Sequence, residues 1–316
     1  MWQGKRISVV IPAFNEEAGV ANVVRGFLET GVVDEIVVAD NNSTDGTKEL
    51  ARALAGKLGP MKVRYVFEGR QGKTYALNTA IREASGEVVV FSDDDVVFDK
   101  DWLVKIDQFI RSNDFDAAGG RILPKFPADT PEWVKRNIDQ LSGPIVTYDY
   151  GPETKLYDRK RMNPLVGTNM LVKRRLFDEV GLFNTNLGPG AGTFGDDTEI
   201  CLRWEKKNKK LFYLGGAMVW HPVVRRRMSL KYIAQWNMAY GKYEVVRKKG
   251  ALDQNVVCVA GVPRYLFREI ISNGMKVVFY WFNRRKFLKH WISLFREIGA
   301  ALAYREMHGA RTGGRQ

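Results

Sequence analysis

Three acids stand in a row at Asp93-Asp94-Asp95, directly after the apolar run Glu87 to Ser92. Adjacent carboxylates repel one another unless a cation lies between them, and a divalent ion is the simplest such cation. The bland alternative is a solvated acidic turn that opens a helix at Asp101. A second acidic pair, Asp196-Asp197, precedes Ile200, Leu202 and Trp204 and would serve as an N-cap of a helix there. Gly72-Lys73 would let the backbone approach a phosphate, although a single Gly-Lys is no phosphate loop and two solvated charges explain it as well. His221, in Trp220-His221-Pro222, is a lone histidine, a type more often structural than ligating.

The elements that must carry these residues alternate strand and helix. Strands are expected at Ile7 to Ile11, Glu35 to Asp40, Lys62 to Phe67 and Glu87 to Ser92, with helices at Glu16 to Glu29, Thr47 to Leu58 and Lys73 to Ala84. That pattern predicts an α/β fold with a mostly parallel central sheet flanked by helices. Each strand ends in polar residues, and ligands of open parallel sheets bind beyond the carboxyl ends of the strands. Four successive strand ends therefore nominate one crevice. Residues 121 to 164, rich in Pro and Gly, read as a long irregular excursion of the functional kind. Order resumes with Val166 to Val172, a short helix from Arg174, a Gly-rich stretch from Gly188 to Gly195, a helix from Asp197 to Lys207 and a strand at Leu211 to Trp220.

Read in order, Ile11-Pro12-Ala13-Phe14-Asn15-Glu16, Ala39 to Thr47, Gly72 to Asn78 and Asp93-Asp94-Asp95 resemble family 2 glycosyltransferases of the GT-A fold. The resemblance continues through Gly167-Thr168-Asn169, Val180-Gly181-Leu182-Phe183 and Gly195 to Arg203, and so spans about residues 5 to 222. It implies that Pro12, Ala13, Asn15, Glu16, Asp40, Asn41, Arg70, Lys73, Asp93, Asp94 and Arg225 bind the nucleotide-sugar donor. Within that set, Asp40 would read the base, with a UDP-sugar favoured over a GDP- or dTDP-sugar. The family commonly has a second acid after that position, where this chain has Asn41. In the DxD motif, Asp93 would contact the ribose and Asp95 would bind Mn²⁺ or Mg²⁺, with His221 as a further metal ligand. Asp196-Asp197 match the family's catalytic acids, and Asp197 would be the general base that takes the acceptor's proton. One base without a placed nucleophile implies an inverting, single-displacement transfer. Gln235-Trp236 lacks the QxxRW spacing of the processive members, so a single addition is expected.

Charge is distributed unevenly. The net +13 splits into 30 basic and 31 acidic side chains over positions 1 to 224 and 19 basic and 5 acidic over 225 to 316. Accordingly a catalytic domain is expected over 1–224 and a basic amphipathic helical tail over 225–316. In that tail Phe287, Leu288, Trp291, Ile292, Phe295, Ile298 and Leu302 recur on one face, and Arg285, Lys286, Lys289 and Arg296 on the other. Cations near an anionic leaflet contribute about 1 kcal/mol each. Hence the tail is expected to hold the protein peripherally on the cytoplasmic membrane face, with Trp281, Trp291 and Phe295 inserting, beside a saccharide or lipid-linked acceptor. The opposing possibility is a tail packed on its own domain. No apolar run reaches the ~20 residues of a spanning helix, none suits a signal peptide, and Cys201 and Cys258 encode no disulfide framework or zinc site. A sugar-phosphate nucleotidyltransferase would need a Gly-rich, Arg-Lys-bearing loop after the first strand. A nucleic-acid-binding protein with a degenerate core would have no reason to keep carboxylates at strand ends, so no nucleic acid partner is expected.

Overall fold

The computed structural model describes residues 6–29, 33–58, 62–190, 194–248 and 256–313. Of the Gly-rich stretch 188–195, residues 191–193 lie outside the described residues. The chain forms two compact units. One comprises Met1–Lys125, Val146–Gly192 and Asp196–Pro222; the other comprises Phe126–Ile145, Thr193–Gly195 and Val223–Gln316. The last segment of the first unit ends at Pro222. Residues 126–145, however, group with the C-terminal helices rather than with the sheet.

The first unit opens with β1 (Ile7–Ala13), α1 (Glu17–Glu29), β2 (Glu35–Asp40), α2 (Thr47–Leu58), β3 (Val63–Phe67), α3 (Lys73–Glu83) and β4 (Val88–Ser92). It continues with β5 (Val97–Phe98), α4 (Trp102–Ser112) and β6 (Ala117–Lys125). After α5 (Glu132–Lys135) and α6 (Ser142–Ile145), which belong to the second unit, come β7 (Thr154–Leu156), β8 (Asn169–Lys173), α7 (Arg175–Val180), α8 (Asp196–Lys206) and β9 (Leu211–Pro222). The sheet order is β3-β2-β1-β4-β8-β6-β9-β5, with β7 on β9. From β3 to β4 all pairs are parallel; β8 then enters antiparallel to both β4 and β6. Because β1, β2 and β4 are buried at every position, their sequences read as continuous apolar runs rather than as alternation.

Strand β6 replaces the start of the expected excursion. It carries Gly119-Gly120 and Pro124, which disguise it in the sequence. A Cβ at Gly120 would lie 2.2 Å from the Asn169 side chain, so glycine is required by close packing. There the β6–β9 register jumps, Gly120 facing Leu214 but Arg121 facing Met218. The Asn169 amide mends the break by donating to the carbonyls of Arg121 (3.0 Å) and Ala217 (2.9 Å). Pro124 is tolerated because β8 pairs only as far as Gly119. Beyond the bulge, β9 delivers His221 opposite Pro124.

The second unit contains α5 and α6, the helices α9 (Leu230–Arg247), α10 (Arg264–Phe279) and α11 (Arg284–Gly313), and a two-stranded hairpin, β10 (Cys258–Val259) with β11 (Val262–Pro263). Helices α9 and α11 cross where Gly241 and Gly299 meet: a Cβ on either would come within 1.9 Å of a backbone carbonyl of the other helix. Val134, Leu141, Ile145, Val223, Met228, Ile233 and Leu288 form a separate core, with Trp291 and Ile292 packed against it. On the apolar face of α11, expected to meet a membrane, Leu288, Trp291 and Ile292 thus pack into this unit, while Phe295, Ile298 and Leu302 remain half-buried. Trp291 stacks on Phe287 and donates its indole N–H to the Leu230 carbonyl (3.2 Å), so it is half-buried and engaged within the unit. Trp281, by contrast, is 75% exposed.

Candidate active site

The loops after β1 and β2 are laced together by their own polar side chains. Asn15, with φ of 54°, accepts the Thr44 N–H on Oδ1 (2.8 Å) and donates its own N–H to Ser43 Oγ (3.1 Å). The Glu16 N–H bonds Thr47 Oγ1 (2.9 Å). Asp40, in register with Ala13 and Phe67, is fully buried. Its Oδ1 accepts the Ser43 N–H (3.0 Å) and its Oδ2 the Tyr65 hydroxyl (3.0 Å); burial and that carboxylate push the Tyr65 phenol up to about 12. The acid therefore shapes the 41–44 turn from inside. Pro12 and Ala13 are likewise buried in β1. What faces outward at these strand ends is Asn15, Glu16, and the rings of Phe14 and Phe67, each about half exposed.

Asn41 occupies the position where the resembling family commonly has an acid, and its amide explains the difference. Oδ1 accepts the Gly72 N–H (2.7 Å) while Nδ2 donates to the carbonyls of Arg70 (2.7 Å) and Glu68 (3.4 Å). A carboxylate has no hydrogen to donate. One amide thus fixes the 68–72 loop, which Gly72 completes at a φ of 140° that an L side chain rarely adopts. Arg70 forks onto Glu68 through Nε and Nη2, both at 2.9 Å, and lies over the Tyr75 ring. Bonds from Arg70 and Thr79 hold the buried Glu68 carboxyl down at about 2. Arg70 is therefore already engaged at this loop, with its guanidinium still partly open to solvent.

Lys73, the first residue of α3, is the cation in the middle of the acids. Its ammonium pairs with Asp93, and Thr168 donates to the other Asp93 oxygen (2.6 Å). Burial alone would discharge Lys73; the carboxylates of Asp93, Asp197 and Asp196 outweigh it and hold the ammonium charged. Burial likewise opposes the Asp93 anion, yet the Lys73 charge and the hydrogen bonds from Lys73 and Thr168 keep its carboxyl below the ordinary value. At Asp94 burial and its two acidic neighbours outweigh the Lys73 charge and raise it to about 7. Glu16 is also raised, by loss of solvent and then by Asp95 and Asp45, which places it beside this cluster.

Asp93, Asp95 and His221 each offer one ligand atom, and these atoms all lie within 4.8 Å of one another. His221 Nε2 stands 3.8 Å from Asp95 Oδ2 on a nearly fully buried ring. Such a donor set, two carboxylate oxygens and one imidazole nitrogen, has the ligand types of a divalent-ion site; neighbouring ligands of an octahedral ion lie about 3 Å apart, so atoms up to 4.8 Å apart would close by more than an ångström on an ion.

Asp196 and Asp197 open α8, whose first turn also holds Glu199. The helix N-terminus favours anions, but here burial prevails. Burial and then the Asp196 charge raise Asp197 to about 7, while the Gly167 N–H fixes its Oδ2 at 2.9 Å. Asp196 is raised too, chiefly by burial. The facing loop is tied down by the Thr74 hydroxyl on the Leu187 carbonyl (3.1 Å) and the Lys73 N–H on that of Pro189 (2.9 Å). Arg225 lies in the second unit, where it pairs with Asp129 at 2.6 Å. Sequence reasoning passed over Thr168 and Glu68. The first stood inside a noted motif, Gly167-Thr168-Asn169; the second ended a noted strand.

Against known proteins, the family model described as Glycosyl transferase family 2 matches residues 8–181, more than half the chain. The chain is 34% identical over 142 residues to glycosyltransferase AglD of Haloferax volcanii, covering 43% of this chain and 22% of that protein. It is 26% identical over 160 residues to the undecaprenyl-phosphate 4-deoxy-4-formamido-L-arabinose transferase of Pseudomonas aeruginosa, covering 48% and 47%. The chain thus spans less than half the length of these two relatives. Among solved structures, the mannosyltransferase PcManGT from Pyrobaculum calidifontis, in complex with GDP-Man and Mn²⁺, aligns with a TM-score of 0.55 at 20% identity, covering 98% of this chain and 76% of that one. The shared fold is the GT-A architecture expected from the strand-end motifs.

Proposed function

The chain belongs to glycosyl transferase family 2, and from that premise we propose that it moves one sugar from a nucleotide-sugar to an acceptor hydroxyl, with inversion at the anomeric carbon. One observation carries this reading: a single ammonium, Lys73, is held charged by Asp93 of the candidate metal set and by the Asp196-Asp197 pair. This supports a site in which the donor end and the acceptor end of a displacement share one cation.

A divalent ion held by Asp93, Asp95 and His221 would supply Lewis-acid stabilisation of the charge gathering on the departing nucleoside diphosphate. Lys73 adds a second positive charge to the same place. Asp197, poised near 7 and oriented by the Gly167 N–H, takes the proton of the acceptor hydroxyl. That oxygen bonds to the anomeric carbon as the bond from this carbon to the diphosphate oxygen breaks, its electron pair leaving with the diphosphate. Asp40 shapes the base pocket through the 41–44 turn, and Phe14 and Phe67 offer exposed ring faces on either side of that strand end. A UDP-sugar is the favoured donor; the PcManGT complex keeps GDP-sugars in view.

The acceptor is a saccharide, lipid-linked or of the cell envelope, used at the cytoplasmic membrane face. The name of the P. aeruginosa relative, an undecaprenyl-phosphate transferase, supports a lipid-linked acceptor. The basic second unit supports the location, and no described helix is long and apolar enough to cross a membrane. A panel of UDP-, GDP- and dTDP-sugars with Mn²⁺ or Mg²⁺ tests the donor site. Saturation to ~100 times Kd stabilises a fold by about 2.7 kcal/mol, a readily measured rise in Tm. No protection by any donor with either ion would overturn the assignment.

A further inference from the structure

Helix α10 is built inside out. Its buried side holds Leu266 and the polar Asn273. The Asn273 amide donates to both Glu297 oxygens (3.1 and 3.0 Å), its carbonyl oxygen meets His290 Nδ1 (2.8 Å), and Tyr280 stacks on the His290 ring. A polar clamp, rather than an apolar seam, fastens this stretch of α10 to α11. The opposite side is apolar and open: Phe267, Ile271, Met275 and Val278, at steps of four, four and three, share one helical face, continued by Phe279 and Phe282. Val278 is 73% exposed, Trp281 75% and Phe282 68%. Large apolar patches on a folded surface mark an interaction site.

The surroundings of this face are cationic. Arg264 and Arg268 lie at its start, Lys276 on its flank, and Arg284, Arg285 and Lys286 directly after Phe282. Gln140, Arg285, Lys286 and Lys289 line a cleft of about 500 Å³. Arg285 is paired with Asp139, but among the described residues Arg264, Lys276 and Lys289 make no ion pair. A second copy docked face to face would set like charges against like. An anionic bilayer offers the complement, with acyl chains for the stripe and phosphates for its rim.

We propose that α10 and the Trp281-Phe282 turn form an interfacial docking surface for an anionic phospholipid bilayer, with the Lys286–Lys289 cleft receiving a lipid phosphate. The proposal rests on and deepens the membrane-face reading above, and moves its site from the partly covered face of α11 to the open face of α10. It needs no transfer to be measured, so a chain that binds vesicles without transferring sugar would sink the enzymatic reading and leave this one standing.

Flotation of the full chain with vesicles of phosphatidylcholine alone, or with added phosphatidylglycerol, at matched salt tests it. The wild type is expected to partition at least tenfold better onto the anionic vesicles. Ile271→Ser/Val278→Ser should lose at least tenfold of that binding with an unchanged Tm. Lys286→Gln/Lys289→Gln should lose the preference for anionic lipid while retaining weak binding. Equal partition of wild type and the double serine variant would overturn the proposal. So would a wild-type dimer by light scattering that the serine variant converts to monomer, since the face would then be a self-interface.

Discussion

The strand-end cluster of the first unit and the α10 face of the second break opposite halves of the same rule. Around Lys73, charges are drawn out of water and set against one another; on α10, apolar side chains are left in water beside cations. Buried polar groups and exposed apolar patches are the informative departures from ordinary burial. In the first unit the departure is answered within the protein, because Lys73, Thr168 and the Gly167 N–H each take up part of the acid charge. In the second, the described residues contain nothing that covers the α10 stripe. One region is arranged for a ligand of high charge and small size, the other for an extended surface.

The comparison breaks most sharply at Asp197. Asp197→Asn should leave donor binding nearly intact and lower transfer by a factor on the order of 10² or more; near-normal turnover would show that the α8 acids are merely helix-capping. The wild-type rate should rise with pH through about 7 as this carboxyl ionises. Stability should move the other way. The folded state holds the Asp197 proton up to about 7, whereas the unfolded chain releases it near the ordinary 3.8. Between those values the native state binds more protons, so stability falls as pH rises. Asp197→Asn should flatten that slope in unfolding titrations at pH 4 to 8.

Next in size is Lys73→Met. Removing the ammonium that pairs with a mostly buried acid leaves much of the remaining charge uncompensated, a loss on the order of 3 kcal/mol. Added Mn²⁺ should return more of the variant's Tm than of the wild type's, because the ion supplies the missing charge. A variant as stable as wild type without metal would mean that the carboxylates are satisfied by protons alone, and the contrast with α10 would weaken.

How much of this was legible follows from what each residue answers to. Strands β1, β2 and β4 are buried throughout, so their sequence is a continuous apolar run that needs no context to read. Asp93, Asp95, His221 and Asp197 stood out only through the family resemblance, because an acidic turn, a structural histidine and a helix cap account for the same residue types. Strand β6 was hidden by Gly119, Gly120 and Pro124, which answer to Asn169, the β9 bulge and a partner strand that ends early. The helical period of α11 showed that one face is apolar but not what covers it, since Leu288 and Trp291 pack on residues more than a hundred positions distant, such as Val134 and Leu141. Asn41 looked like a departure from a pattern; only the positions of the Gly72 N–H and the Arg70 carbonyl reveal why an amide stands there.

Asn41→Asp therefore asks whether the first unit's loops answer to the protein or to the ligand. The substitution removes the donor to the Arg70 and Glu68 carbonyls and sets a carboxylate against them, at a cost of about 1–3 kcal/mol for the buried groups left unpaired. If the loop exists to hold Lys73, the variant should lose transfer roughly in step with stability, and urea unfolding beside a kcat measurement would show the two moving together. Unchanged stability with an altered preference among UDP-, GDP- and dTDP-sugars would instead place Asn41 against the base.

The smallest expected effect completes the contrast. Val278→Ser on α10 should change stability by no more than about 0.5 kcal/mol, as for other exposed sites, because the side chain is already in water in the native state. Val90→Ser on β4 replaces a fully buried side chain with a hydroxyl that must find a partner, and should cost about 2 kcal/mol or more. Equal losses from the two valines in thermal melts would mean that the α10 stripe is covered in solution. The two regions would then obey the same burial rule, and the difference drawn between them would disappear.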